Sequence, residues 1–114
     1  MANRPIPVAQ ANEMMGLYVN YMKSLGVNMT QQTHTISFTA PELLKWMSEV
    51  EPYADEFRIC EGVYGPGHEK AGRLTTIIWP YKNGSPAYKA SEEEGKDGGG
   101  GTPINPYNEG NGRP

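Results

Sequence analysis

Between Phe57 and Trp79 the sequence reads FRICEGVY, then GPGHEKAG, then RLTTIIW, two apolar and β-branched runs around a loop with three glycines and one proline. That pattern is a β-hairpin with a long connection. Phe57, Ile59 and Val63 alternate with Arg58, Cys60, Gly62 and Tyr64 along the first strand. Along the second, Leu74, Thr76 and Ile78 alternate with Arg73, Thr75, Ile77 and Trp79. A lone hairpin is marginal in water, so the rest of the chain has to cover it.

Upstream, Val8, Ala11, Met15, Tyr18, Met22 and Leu25 recur every three or four residues, one face of an amphipathic helix. Met14, Leu17 and Tyr21 widen that stripe, and Gly26 stands where a left-handed cap ends such a helix. His34–Phe38 alternates as a short strand. Thr39 and Glu42 then have capping-box spacing ahead of a second helix with a Leu43, Trp46, Met47, Val50 stripe, which Pro52 limits. After the hairpin, Lys82-Asn83-Gly84 reads as a turn.

The order α-β-α-β-β gives an α+β class. Its simplest arrangement is a small three-stranded mixed sheet with two helices packed on one face. The strand–helix–strand unit from Ile36 to Val63 is expected to be a right-handed parallel crossover. From Ser85 the composition turns Gly-rich, Pro-punctuated and acidic. The expected organisation is therefore one domain over 1–84 and a flexible, disordered tail over 85–114. About 85 residues bury one core with little stability in reserve, and association is an economical supplement.

If both helices cover the face of Phe57, Ile59, Leu74 and Ile78, the opposite face still carries Cys60, Tyr64, Ile77 and Trp79. Monomers usually avoid such an apolar patch. A second copy, another protein, a ligand or the tail is expected to cover it.

Several short pieces share a further likeness: Tyr18 and Tyr21; Phe38 with Leu43-Leu44; Arg58-Ile59 with Gly62 and Tyr64; and Gly72–Ile78. On these the stretch from Val8 to Gly84 resembles a loose group of small uncharacterised bacterial proteins with the same α-β-α-β-β order. The resemblance implies that fold and brings no activity with it. The Gly65–Ala71 connection and the glycine tail depart from the group's shorter pattern.

Composition narrows the function classes. A formal charge of −3 with scattered Lys and Arg argues against nucleic acid as partner. No apolar run approaches the ~20 residues of a membrane helix. The first ten residues lack the apolar core of a secretory signal. The single cysteine, Cys60, excludes an internal disulfide framework and a multi-thiolate zinc site. A reduced, cytoplasmic setting follows as the default.

Arg58, Tyr64 and Arg73 project from one face, where an arginine pair can grip a carboxylate or phosphate. The plainer reading is strand residues paired across a solvated surface. His34 and His68 are the only histidines, one before a strand and one in a loop, so surface positions are expected and no metal. Cys60 has Glu61 beside it and no base in sequence, which suits a packing residue rather than a nucleophile. The Gly65–Gly72 loop leads into a strand, so it lacks the helix N-terminus of a phosphate loop. Met14, Met15 and Met22, with Met29 just beyond, suit core filler at helical spacing better than an adaptable binding face. In the tail, Ile104 and Tyr107 are apolar islands with the look of a short peptide that docks on a folded partner.

The leading expectation is a non-enzymatic protein-interaction module without cofactor or catalytic residues. It is a homo-oligomer, or binds another protein, through the outer sheet face around Cys60, Ile77 and Trp79. The alternative is a small-ligand or anion-binding domain using Arg58, Tyr64 and Arg73.

Overall fold

The structure, a computed structural model of the chain, describes residues 3–90 and 101–113. Its elements are α1 (Val8–Ser24), β1 (Thr35–Ser37), α2 (Ala40–Val50), β2 (Glu56–Val63), β3 (Leu74–Lys82), β4 (Ser85–Pro86), β5 (Tyr88–Ala90), β6 (Gly101–Pro103) and β7 (Asn111–Arg113). The α+β class is as expected, and the sheet arrangement is not.

Among the described residues, three small antiparallel sheets replace the single mixed one: β2-β3-β4, β1-β7 and β5-β6. The expected parallel crossover is absent because β1 is only three residues long and pairs with β7, not with the hairpin. The hairpin itself has the predicted faces. Ile59 lies opposite Ile78 and Cys60 opposite Ile77, so the two alternating sets fall on opposite sides. At its far end Asn83 (φ 52°) and Gly84 (φ 79°) make a two-residue turn of the kind that Asn-Gly favours.

Both helices form where the periodicity puts them. Gly26 takes a left-handed φ of 86° and its amide donates to the Lys23 carbonyl, closing α1. α2 starts at the Thr39 cap position, but the capping box does not close, since Thr39 makes no side-chain cap hydrogen bond. A 3-10 turn over Glu51–Tyr53, with Pro52 in it, ends the helical run.

The largest correction concerns the expected tail. Described residues from Ser85 on are built into the fold; the stretch 91–100 lies outside the described residues. Ala87 donates to the Pro80 carbonyl, β5 pairs with β6, and Ile104 donates to the Ala87 carbonyl. Tyr107 then exchanges two backbone hydrogen bonds with Ile78 (2.8 and 2.9 Å) on the outer edge of β3. Finally β7 pairs with β1, and the His34 amide donates to the Arg113 carbonyl at 2.6 Å. Residues 101–113 thus form a strip that ties β5, β3 and β1 together.

That strip completes the core. The Tyr107 ring lies 4.8 Å from Trp46 and 5.3 Å from Phe38, and Trp46 lies 5.7 Å from Phe57. Such tilted aromatic pairs add to the apolar area they bury. Val50, Ile78, Pro80 and Ala87 are buried. The glycines of the strip permit its approach: a Cβ on Gly110 would stand 2.5 Å from Ile36 Cγ2 and 2.7 Å from Phe38 Cε1.

Candidate functional site: the uncovered apolar surface

The expected layout has both helical stripes buried on the hairpin. Only α2 does this. α1 has no buried residue, and six of its large side chains are exposed by between 39 % (Tyr18) and 77 % (Val8). Met14, Met15, Leu17 and Tyr21 are the other four, with Ile6 and Leu25 exposed just beyond the ends. The core-filler reading of Met14 and Met15 is corrected accordingly. The molecule is extended to match, 55 × 38 × 27 Å with a radius of gyration of 17.6 Å, against about 13 Å for a compact chain of this length.

The hairpin face meant for the helices is half bare. Phe57 and Ile78 lie under Trp46 and Tyr107, whereas Ile59 and Val63 at the loop end are each 60 % exposed. Between that end and α1 runs a cleft of about 530 Å³. Tyr18 and Met22 of α1 form one wall, and Ile36, Phe38, Leu74 and Glu61 contribute to the rest. His34 also borders it, its Nε2–H donating to the Met29 carbonyl oxygen at 2.6 Å.

The outer sheet face holds Cys60, Ile77 and Trp79 together, as the alternation requires, with Cys60 opposite Ile77 and Arg58 opposite Trp79. All three are half-buried by their own neighbours. Trp79 meets Tyr81 edge-on at 6.4 Å, and the Arg58 guanidinium lies 4.0 Å above the Tyr81 ring. The greater uncovered apolar surface is therefore α1, not the sheet face around Trp79.

The proposed anion grip is split. Arg58 donates twice to Glu56 Oε1, at 2.9 and 2.7 Å, and that hydrogen bond raises its pKa above the ordinary guanidinium value. Tyr64 stands six residues further along the strand, about 20 Å away. There its ring stacks on His68 at 4.2 Å, and its hydroxyl is 3.2 Å from the Thr75 hydroxyl. Arg73 is its neighbour across the strands, the Tyr64 amide donating to the Arg73 backbone carbonyl at 3.1 Å. The structure brings Tyr64 and Arg73 together and leaves Arg58 apart.

Cys60 forms no disulfide, and its Sγ donates to the Arg58 carbonyl at 4.0 Å. A carbonyl does not activate a thiol. Among the described residues no three His, Cys, Asp or Glu side chains converge as metal ligands. Nor is any described helix long and apolar enough to cross a membrane. Ile104 and Tyr107 pair within the chain, Ile104 with Ala87 just before β5 and Tyr107 with Ile78 of β3.

No protein-family model, curated protein or solved structure matches the chain.

Proposed function

We propose that this protein is a non-enzymatic interaction module that assembles with a second copy of itself through α1. One observation carries the reading: a helix with six exposed large apolar or aromatic side chains and none buried. A 17-residue helix with Gly16 in its middle and no side-chain cap at its start is marginal in water by itself. Packing against a partner stabilises it and removes the apolar stripe from solvent at the same time.

The sheet face around Cys60, Ile77 and Trp79 is the lesser contact, since Tyr81 and Arg58 already shield it in part. The anion-binding alternative has less behind it, because Glu56 holds Arg58 at the far end of the strand from Tyr64.

Light scattering of the full chain across the micromolar range tests the reading. A dimer is expected, and Met14→Glu with Tyr21→Glu is expected to return it to monomer without moving the unfolding midpoint of the core. A wild-type chain that stays monomeric at high micromolar concentration sinks the proposal. A dimer that survives both glutamates moves the interface to the sheet face, where Trp79→Glu then dissociates it.

A further inference from the structure

We infer that the two copies join through an antiparallel pair of α1 helices about a two-fold axis at Tyr18, an arrangement that rests on the self-association proposed above. The apolar stripe is symmetric about that residue. Counting outward from Tyr18, Met15 and Tyr21 stand three residues away on either side, Met14 and Met22 four, and Ala11 and Leu25 seven. In an antiparallel pair centred on residue 18, each position lies level with the one equally far out on the other side. Met15 of one copy then meets Tyr21 of the other, Met14 meets Met22, Ala11 meets Leu25, and Tyr18 meets itself. A two-fold interface requires this self-complementarity, and an unrelated partner does not. The alternating spacing of three and four is that of a helix–helix seam.

Polarity folds over in the same way. Asn12 falls level with Ser24, and Glu13 with Lys23. Glu13 and Lys23 are the only charged residues of α1. An antiparallel pair puts opposite charges at each end, whereas a parallel pair in register puts like beside like. Both side chains lie about 140° around the helix from Tyr18, so their influence is long-range and screened, favouring one orientation rather than supplying much affinity. The helix dipoles also oppose one another in this arrangement.

The area suffices. α1 is about 25 Å long, and covering its stripe removes roughly 600 Å² from each copy, about 1,200 Å² in all, at the lower end of specific interfaces. Because Tyr18 and Met22 also border the cleft beneath α1, the second helix lies along the cleft's mouth. A lipid surface suits the stripe less, since Lys23 is the sole basic residue in the helix.

Cysteine cross-linking separates the arrangement from the association. In full-length protein carrying Cys60→Ser, the variants Ala11→Cys, Tyr18→Cys and Leu25→Cys are each treated with diamide as thiol oxidant. Tyr18→Cys alone is expected to give a disulfide-linked dimer. Ala11→Cys and Leu25→Cys are expected to link when mixed but not singly, because equivalent positions seven residues from the axis stand about 21 Å apart. Circular dichroism confirms that each variant is folded. If Ala11→Cys links to itself and the mixture adds nothing, the helices are parallel, the arrangement is overturned and the self-association stands. If light scattering finds only monomer, both fall, whether α1 then binds phosphatidylcholine vesicles or some other protein.

Discussion

α1 and the strip 101–113 sit at opposite extremes of how a segment can belong to a fold. α1 satisfies its backbone internally, carries an apolar stripe of six large side chains, and buries none of them. The strip has two large apolar side chains, Ile104 and Tyr107, yet its backbone bonds to three other strands and one of its rings completes the aromatic core. An amphipathic helix closes its backbone hydrogen bonds within itself, so the cover for its greasy face can come from another molecule. A short extended segment has no internal hydrogen bonds and exists only by pairing. The contrast separates hydrophobicity, which says that a surface needs cover, from backbone pairing, which commits a segment to a place.

That contrast can be broken most directly at Tyr107. Tyr107→Ala removes the ring between Phe38 and Trp46, and a loss of about 2–4 kcal/mol in denaturant unfolding is expected. A variant as stable as wild type would return the strip to the status of a tether. Gly110→Ala should act next most strongly. Its methyl would stand 2.5 Å from Ile36 Cγ2, and overpacking of that sort costs about 1–3 kcal/mol; an unchanged midpoint would mean that the strip gives way freely. The smallest effect sharpens the other side. Gly16→Ala meets nothing within 4 Å, so it should stabilise α1 by about 0.5–1 kcal/mol. Far-UV ellipticity should deepen while unfolding followed by Trp46 and Trp79 fluorescence stays where it was. Movement of that second signal would show α1 coupled to the core within one copy.

The sequence carried much of this. Periodicity located α1 and α2, alternation sorted Ile59 and Ile78 from Cys60 and Ile77, and Asn83-Gly84 marked the turn. The pairing of Glu56 with Arg58 was also within reach, since residues two apart on a strand share a face. What stayed hidden lacked a period. β6 and β7 are three residues each, too short for alternation to register, and the alternation that located β1 says nothing of its pairing with β7. Glycines that allow close approach, as at Gly110, have the same composition as glycines that loosen a linker. α1 misled in the opposite sense, because an apolar stripe records that burial is required and not whether the cover comes from the same chain. For the candidate site, the membership of the outer face was legible from alternation, while the shielding by Tyr81 and Arg58 depended on side-chain directions that no spacing encodes.

The partnership of β1 with β7 has a consequence for synthesis. Residues 35–37 leave the ribosome more than seventy positions ahead of the segment that pairs with them, and Ile78 precedes Tyr107 by nearly thirty. A nascent chain therefore holds helices and hairpin together for some time with Ile36, Phe38 and one strand edge unsealed. The later segment acts as the clasp, and the protein is most vulnerable to sticking or cleavage in the interval before it closes.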